Sequence, residues 1–500
     1  MGIKRKIAIL FSWYELRNFF KDYQKPLAMQ DFVFDTLLTS GRKTVFGHDH
    51  QFSTIHSHKD FVQKVPIRDY EQLKSYIEQI IDGKDSVLWP GKPKYFAKTS
   101  GTTSGVKYIP ITDVSIKEQV KAARMALQFY IQKTGNTDWV EGKMIFLQGS
   151  PELDKKGIID AGRLSGIVYH EVPKYLLSNR LPSYETNIIE DWETKLTAIV
   201  KETLPQNMTL VSGIAPWMIM YFEQLLKTTG KRNLKEIWPQ LRLYVHGGVN
   251  FKPYEKIFSQ LIGEGVDYIE TYPASEGFIA FQDDYREEGL LLNINGGIFY
   301  EFVPVEEIFN EFPTRLTLKD VEIGVQYALI LTTNAGLWAY NIGDTIKFVS
   351  LNPYKIVVTG RIKHYISAFG EHVIVEEVES AITQLCKNSG VEVVDFTVAP
   401  QIQVNNELPY HEWFIEFKNI PDNLQNWALE LDKLMQHKNI YYKDLVDGGI
   451  LQPLRVSIIR ENGFRNYMNS IGKLGGQNKI PRLGNDRKMA DGLQAFIVNN

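Results

Sequence analysis

From about residue 90 onward, short apolar runs alternate with longer segments of helical periodicity, and this alternation restricts the fold more than any other feature of the sequence. The runs typical of buried strands are Met144–Leu147, Leu241–Val245 and Val266–Thr271. The segments with the spacing of helices are Asp113–Gln132, Asn187–Thr203 and Trp217–Lys227. Such alternation predicts helices layered on a sheet, and therefore an α/β fold.

The two ends of the chain differ from this central pattern. The first ninety or so residues read as helices broken by turns, with helical spacing clearest in Tyr70–Asp82. After the strand-like runs Tyr327–Thr332, Thr345–Ser350 and Lys355–Thr359, a smaller α+β unit is predicted from Val393–Val398, Glu412–Phe417, Leu424–His437 and Leu454–Ile459. A chain of 500 residues also exceeds the size of one hydrophobic core, which stops growing at about 250–300 residues. We therefore expect two domains, 1–360 and 361–500.

Composition and charge exclude several classes of protein. A formal net charge of −3 argues against a dedicated nucleic-acid binder. No apolar run approaches the roughly 20 residues of a membrane-spanning helix, and the apolar run Ile7–Trp13 is predicted to be part of an amphipathic helix rather than a secretory signal. Cys386 is the only cysteine, so no intramolecular disulfide is possible. We expect a cytoplasmic monomer with no nucleic-acid or membrane partner.

The segment Lys98–Pro110 has the composition of a phosphate-binding loop. Its two glycines allow backbone N–H groups to turn toward an anion, its five hydroxyl residues add donors, and Lys107 adds positive charge. The spacing of the P-loop motif is absent. The alternative interpretation is a flexible surface loop.

Four later segments carry polar or basic groups that suit a ligand site. In Tyr272–Gly277, just after a predicted strand, Glu276 could hold Mg²⁺, although an ordinary turn is the alternative. In Tyr340–Asp344 the carboxylate of Asp344 could accept both ribose hydroxyls, although a hairpin turn is the alternative. Gly360–His364 and Gly475–Arg482 are basic, and each could equally be a linker or a solvated tail.

The order of these segments is typical of the adenylate-forming superfamily. Over nearly its whole length the chain resembles the Gretchen Hagen (auxin-responsive) acyl-acid amido synthetases, in their bacterial form. Further segments that carry this resemblance are Phe46–His50, Val65–Tyr70, Trp238–Leu241 and His246–Val249. The chain departs from the family pattern at Pro273 and Ala274, where glycine or serine is often found, and at Asn341, where many relatives have arginine.

The resemblance implies a large N-terminal adenylation domain, built from a distorted barrel and sheets flanked by helices, and a smaller mobile α+β domain that closes over it. It implies an enzyme that uses ATP and Mg²⁺ to adenylate a small-molecule carboxylic acid, releases pyrophosphate, and transfers the acyl group to the amine of an amino acid. No motif specifies the acid or the amine.

The resemblance also assigns roles to individual residues. Those implied to bind the nucleotide are Thr99, Ser100, Gly101, Thr102, Thr103, Ser104, Gly105, Lys107, Gly248, Val249, Tyr272, Asp344 and Arg361. Within this set Ser100–Lys107 would hold the β- and γ-phosphates, Gly248 and Val249 would border adenine, and Asp344 with Arg361 would bind ribose. Ser275 would contact the α-phosphate, Glu276 would bind Mg²⁺, Lys479 would neutralise charge between the α-phosphate and the attacking carboxylate, and Lys363 would be the hinge.

Two other functions remain open from the sequence. An acyl-CoA ligase would use a thiol in place of the amine, and a catalytically silent protein would only bind a nucleotide or acyl group. Retention of Glu276, Asp344 and Lys479 together argues against the silent protein. A separate possibility is a Zn²⁺ site formed by the closely spaced histidines His48, His50, His56 and His58.

Overall fold

The computed structural model describes residues 3–102, 105–172, 179–249, 251, 254–362, 365–366, 368–371, 373–402, 407–471 and 480–498. The chain divides into two units. The larger consists of Met1–Thr99, Lys107–Glu190 and Thr194–Ile362, and the smaller of Ser100–Val106, Asp191–Glu193 and Lys363–Asn500.

Helices dominate the beginning of the chain and recur between the central strands. The α-helices before residue 263 are Ile3–Tyr23, Pro26–Gly41, Val45–Asp49, His58–Lys64, Tyr70–Ile81, Asp113–Thr134, Leu164–Glu171, Tyr184–Asn187, Trp192–Thr203, Ala215–Thr229, Leu234–Ile237 and Glu255–Ile262. Those after residue 374 are Val375–Ser389, Leu424–Lys438, Ile440–Asp447, Gly463–Ser470 and Lys488–Leu493. Short 3₁₀ helices span Phe52–Thr54, Asp138–Glu141, Val305–Glu307 and Gln494–Phe496.

The strands are numbered in chain order. They are β1 (Tyr95–Thr102), β2 (Gly105–Ile111), β3 (Lys143–Phe146), β4 (Asp154–Lys156), β5 (Ile159–Gly162), β6 (Arg180–Leu181), β7 (Met208–Ser212), β8 (Leu243–Gly247), β9 (Asp267–Ala274) and β10 (Gly277–Phe281). They continue as β11 (Leu290–Leu292), β12 (Ile298–Pro304), β13 (Gln326–Thr333), β14 (Tyr340–Leu351), β15 (Tyr354–Arg361), β16 (Tyr365–Ile366), β17 (Val373–Ile374), β18 (Val393–Gln401), β19 (Tyr410–Phe417) and β20 (Arg455–Ile459).

An eleven-stranded sheet in the order β12-β13-β14-β15-β11-β10-β9-β8-β7-β3-β6 organises the larger unit. Strands β6, β3, β7, β8 and β9 are parallel to one another, and the pairs from β9 to β12 are antiparallel. The antiparallel half contains bulges, between Phe278 and Ala280 in β10 and opposite Leu329 in β14. Because a bulge bends its strand and increases the local twist, these irregularities give this half of the sheet its curvature.

Other strands form smaller sheets. One has the order β2-β1-β5-β4, β16 pairs with β17, and β18-β19-β20 form a three-stranded sheet in the smaller unit. In the smaller unit, Ala399, Phe414, Ile459, Phe464 and Leu493 are part of a buried cluster formed by this sheet and the last helices.

Local sequence explains individual elements, as the helix Tyr70–Ile81 illustrates. Asp69 and Gln72 form a reciprocal capping box at its start. Leu73, Ile77 and Ile80 are buried at helical spacing, so one face of the helix packs into the main core.

The α/β fold with a large N-terminal unit and a smaller C-terminal unit is confirmed. Most predicted elements exist, with bounds that shift by a few residues. The predicted helix Asn187–Thr203 is in fact two helices, Tyr184–Asn187 and Trp192–Thr203. No helix in the described part of the chain combines the length and apolar content needed to cross a bilayer.

A buried ion pair connects strand β12 to the following loop. The guanidinium of Arg315 donates to both carboxylate oxygens of Glu301, at 2.8 and 2.7 Å, and to the backbone oxygen of Val65 at 2.6 Å. His58 Nε2 lies 2.7 Å from the same carboxylate. Desolvation alone would raise the pKa of the Glu301 carboxyl, but Arg315 and His58 hold that pKa below its usual value.

Replacement of Arg315 should therefore destabilise the larger unit strongly. We expect Arg315→Met to lower the free energy of unfolding by about 3–5 kcal/mol, because Glu301 keeps its burial but loses the guanidinium that bonds both of its oxygens, and only His58 remains beside it. The double variant Arg315→Met with Glu301→Leu should recover most of that loss, since no buried charge remains unpaired. Urea unfolding followed by tryptophan fluorescence measures the free energy of unfolding of both variants. A value for Arg315→Met within about 1 kcal/mol of wild type would contradict the prediction.

Candidate active site

Ser275 and Glu276 form the turn between strands β9 and β10. Ala274 and Gly277 are paired residues, so only these two residues connect the strands. The sequence predicted that the strand ends at Thr271, whereas β9 continues to Ala274. The Ser-Glu pair is therefore held at the end of a two-stranded ribbon rather than in a loose loop.

The carboxylate of Glu276 is surrounded by protein atoms although its side chain keeps some solvent access. Desolvation raises the pKa of the Glu276 carboxyl, while Lys107 and Arg361 oppose the shift. Desolvation in turn lowers the pKa of the Lys107 ammonium, and Glu276 opposes that shift. Among the described residues Glu276 forms no ion pair, so its charge is only partly compensated and would suit a bound cation.

Asp344 lies on a bulge of β14 and is bonded from two sides. Ile342, Gly343 and Asp344 together face Leu329 of β13, and Gly343 has a φ of +88°, which favours glycine. Arg361, its paired residue on β15, places Nε 2.5 Å from Asp344 Oδ1. The hydroxyl of Tyr272 donates to Asp344 Oδ2. The expected hairpin turn is thus a bulge inside a strand, and each carboxylate oxygen still has a lone pair for another donor.

The end of β8 approaches β9 closely. A Cβ atom on Gly247 would lie 2.2 Å from the backbone oxygen of Thr271, so only glycine fits. Gly248 has a φ of +82° and is exposed, and Val249 beside it is partly buried. Below them His246 stacks on Tyr244 and Phe251. Desolvation lowers the pKa of His246 to about 4, and its Nδ1 has no hydrogen-bond partner in the described structure.

The structure brings together five of the sequence-predicted residues in the larger unit. Lys107, Arg361 and Asp344 all influence the charge of Glu276, and Tyr272 is bonded to Asp344. Gly248 and Val249 follow the neighbouring strand β8. Thr99 lies partly buried on β1, in a different sheet.

The remaining predicted residues lie partly or wholly outside the described structure. Ser100, Gly101 and Thr102 belong to β1, and Gly105 begins β2, but the side chains of Ser100 and Thr102 lie outside the described structure. Thr103, Ser104, Lys363 and Lys479 lie outside the described residues altogether.

Two tyrosines near this cluster had been given no role from the sequence. The Lys107 ammonium lies 5.9 Å from the centre of the Tyr70 ring, and the Tyr70 hydroxyl accepts a hydrogen bond from the backbone N–H of Tyr108 at 2.9 Å. Tyr340 is fully buried, and Glu276 contributes to raising the pKa of its phenol after desolvation. Both tyrosines occur in segments that carry the family resemblance, and that resemblance was the signal in the sequence that could have identified them.

Two of the four clustered histidines, His50 and His58, bind separate partners. His50 Nδ1 lies 2.8 Å from the oxygen of Phe46, its Nε2 lies 2.7 Å from a guanidinium nitrogen of Arg68, and His58 bonds to Glu301. No group of three or more histidine, cysteine or carboxylate side chains suited to a metal ion is present among the described residues.

Comparison with known families shows which family the chain belongs to. The GH3 family N-terminal domain matches residues 15–183 and 164–266, the central domain matches 291–361, and the C-terminal domain matches 376–488. The chain belongs to the GH3 family.

Individual GH3 relatives are distant but extend over most of the chain. It is 21% identical to indole-3-acetic acid-amido synthetase GH3.15 of Arabidopsis thaliana, over 94% of this chain and 92% of that protein. It is 23% identical to jasmonoyl–L-amino acid synthetase GH3.5 of Oryza sativa subsp. japonica, over 84% of this chain and 86% of that protein. The solved structure of GH3.15 acyl acid amido synthetase has the same fold, with a TM-score of 0.59, 16% identity, and coverage of 97% of this chain and 96% of that one.

The raised pKa of Glu276 leads to a pH-dependent prediction. Between its usual pKa, about 4.3, and its higher folded value, the folded state binds more protons than the unfolded state, so stability falls as pH rises. Glu276→Gln removes this titration. We expect its melting temperature, relative to wild type, to increase as pH rises from 4 upward.

Differential scanning fluorimetry across that pH range measures the difference. Glu311→Gln, at an exposed position, is the matched control for a change of the same chemistry. A pH-independent difference between Glu276→Gln and wild type would contradict the assigned desolvation.

Proposed function

We propose that this GH3 protein is an ATP-dependent, AMP-forming acyl-acid amido synthetase that adenylates a carboxylic acid and transfers the acyl group to the amine of an amino acid. The observation that carries the proposal is the grouping of Glu276, Asp344 and Arg361 on the eleven-stranded sheet, with Lys107 of strand β2 close enough to affect the charge of Glu276. Family membership and the synthetase relatives support the same reaction.

The nucleotide would bind along the ends of β8 and β9 and the bulge of β14. Asp344 is a charged acceptor that Arg361 and Tyr272 already hold in place, so ribose hydroxyls can donate to it without prior rearrangement. The exposed backbone at Gly248 and the neutral, partnerless Nδ1 of His246 suit the flat, polar-edged adenine base. Val249 would border the same base.

Adenylation requires two anions to meet, because the acid's carboxylate attacks the α-phosphate as pyrophosphate leaves. Positive charge and fixed position must supply most of the catalysis. The backbone, hydroxyl and ammonium groups of Ser100–Lys107 would hold the β- and γ-phosphates, and Ser275 would contact the α-phosphate. Lys479 would neutralise charge between the α-phosphate and the attacking carboxylate.

Glu276 is proposed to hold Mg²⁺. Its desolvated carboxylate has no ion pair in the described structure, and Mg²⁺ prefers carboxylate and phosphate oxygens. The metal would supply charge neutralisation on the polyphosphate when bound. Glu276 itself would fix the position of that charge relative to Ser275 on the same two-residue turn.

We also propose that the boundary between the two domains lies between residues 360 and 361, with Lys363 as the hinge. The end of the central-domain match at residue 361 and the structural division after Ile362 support it. A cytoplasmic location and a monomeric state belong to the same proposal.

Acid-dependent exchange of pyrophosphate into ATP tests the reaction directly. We expect exchange that requires Mg²⁺ and one of a library of carboxylic acids, with AMP and an amide as products when an amino acid is added. Release of ADP and phosphate would contradict adenylation. A thioester formed with coenzyme A, with no amide formed, would identify an acyl-CoA ligase instead.

Asp344 provides a second prediction. Asp344→Ala should raise the ATP dissociation constant about 10- to 100-fold, because hydrogen bonds to a charged acceptor contribute roughly 1.5–3 kcal/mol each. Tyr272→Phe keeps the carboxylate and removes only one supporting donor, so its effect should be clearly smaller. Isothermal calorimetry measures both, and an unchanged dissociation constant in Asp344→Ala would leave this residue with a structural role only.

A further inference from the structure

The first helix of the chain, Ile3–Tyr23, is apolar on the side that faces solvent. Four large side chains recur there at helical spacing and are between 59% and 68% exposed: Ile7, Leu10, Trp13 and Tyr14. We call these four side chains the outer face. The sequence predicted an amphipathic helix at this position, but the helix is apolar on both sides.

The opposite side of this helix is fixed to the larger unit. Leu16 and Phe19 are buried in a core cluster with residues of the helix Asp113–Thr134. The hydroxyl of Ser12 donates to the backbone oxygen of Gln128 at 2.9 Å. The outer face is therefore held toward solvent, because turning it inward would break these contacts.

Another surface helix shows the usual distribution of side chains. In Tyr70–Ile81 the exposed positions are Gln72, Ser75 and Glu78, all polar, while the apolar residues pack into the core. A helix that is apolar all round is normally buried on every side. The outer face departs from this pattern, since no described part of the chain covers it, and such a surface indicates contact with something outside the chain.

The exposed charges of the first helix, in the part that the structure describes, are all basic. Lys6, Arg17 and Lys21 are exposed, and the central carbon of the Arg17 guanidinium lies 5.5 Å from the centre of the Trp13 ring. Lys6 therefore borders one end of the outer face, and Arg17 with Lys21 continues it at the other end.

The acidic residues of the same helix are bonded elsewhere. Glu15 forms an ion pair with Arg124 at 2.8 Å, and Asp22 accepts a hydrogen bond from the side-chain amide of Asn295 at 2.7 Å. Neither carboxylate is therefore directed toward the basic residues beside the outer face. The outward side of the helix combines apolar and aromatic side chains with net positive charge.

A second copy of the chain fits this surface poorly. At about 150–250 Å² for a large side chain, four that are about 60% exposed offer roughly 400–600 Å², whereas a stable interface buries about 800 Å² on each partner. Antiparallel pairing centred between Leu10 and Trp13 would also set Lys6 of one copy against Arg17 of the other. Parallel pairing would set each basic residue against its own copy, so both orientations bring like charges together.

We propose that the outer face and the basic residues beside it bind the surface of an anionic lipid membrane, with the helix lying in the plane of that surface. Apolar side chains can enter the boundary of the acyl chains, tryptophan and tyrosine rings suit the level of the headgroups, and lysine and arginine attract anionic lipids. This contact is peripheral and differs from a membrane span. It revises the expectation, drawn from the sequence, that the protein has no membrane partner, because the sequence does not show which side of the helix packs inward.

Membrane binding goes beyond the proposed function and does not rest on it. Vesicle binding is measured without ATP, acid or amine. A protein that binds anionic vesicles but shows no pyrophosphate exchange would overturn only the proposed function. A protein that shows exchange but binds no vesicles would overturn only the membrane contact.

Flotation of the full chain with lipid vesicles tests the proposal. Vesicles of mixed phosphatidylglycerol and phosphatidylcholine are compared with vesicles of phosphatidylcholine alone. At about 5-fold for each basic residue, three such residues should give a preference for the anionic vesicles on the order of 100-fold. That preference should shrink several-fold between about 0.1 and 1 M salt, where the Debye length falls from about 10 to 3 Å.

Two double variants separate the apolar contribution from the charge. Leu10→Gln with Trp13→Gln should lose binding to both kinds of vesicle, because the apolar anchor is removed. Arg17→Gln with Lys21→Gln should lower the preference for anionic vesicles about 25-fold and leave binding to neutral vesicles unchanged. Ile158→Gln, between β4 and β5 and 62% exposed, is the matched apolar control and should bind as wild type does.

A matched control for charge is Lys227→Gln with Lys231→Gln, at exposed positions in and just after the helix Ala215–Thr229. It should keep the full preference for anionic vesicles. All of these variants should melt as wild type does, since every replaced side chain is exposed.

Equal binding to both kinds of vesicle, no binding to the anionic vesicles, or unchanged binding by either variant of the first helix would overturn the proposal. A dimer detected by light scattering, dissociated by Leu10→Gln with Trp13→Gln and accompanied by no vesicle binding, would assign the outer face to a second copy of the chain instead.

Discussion

Curvature of the eleven-stranded sheet is the constraint on which the candidate site depends. Strands β9 and β14 are four places apart in that sheet, a separation of roughly 19 Å if the sheet were flat. Yet the hydroxyl of Tyr272 on β9 donates directly to Asp344 on β14. The sheet must therefore curl back on itself, and the bulges in β10 and β14 lie on the path between these strands. Without that curl the ribose-binding candidate and the Ser-Glu turn would face different regions of solvent.

The charges of Glu276 and Lys107 are balanced less completely than those of the buried pair Glu301 and Arg315. Glu301 and Arg315 form a closed pair with every carboxylate oxygen bonded, which suits a structural role. Glu276 and Lys107 each have a pKa shifted, by desolvation, toward the neutral form, although each partly stabilises the charge of the other. This contrast is expected where a protein keeps charges ready for a ligand, because the ligand completes the balance that the protein leaves open.

Sequence patterns predicted the architecture well because they depend on local periodicity. The helix Leu424–Lys438 and the strands β13, β15 and β19 follow the predicted segments closely, and the family assignment from ordered motifs is confirmed. The extension of β9 to Ala274 was not predicted, since Pro273 normally discourages a strand interior. Pro273 is tolerated at the register shift beside β10, where ladder bonding is irregular. The bulge at Gly343 was likewise interpreted as a turn from the sequence, because a glycine followed by an aspartate favours turns as well as bulges.

Arg180 illustrates a feature that sequence reasoning cannot find, a buried arginine whose Nη1 has no partner in the described structure. No motif surrounds it, and an arginine after an asparagine in a polar segment is most simply read as exposed. In the described structure Arg180 has no counter-ion, and the rings of Tyr169 and Phe146 lie against its guanidinium. The same reasoning applies to His246, three strands away along the sheet, whose buried Nδ1 has no hydrogen-bond partner in the described structure.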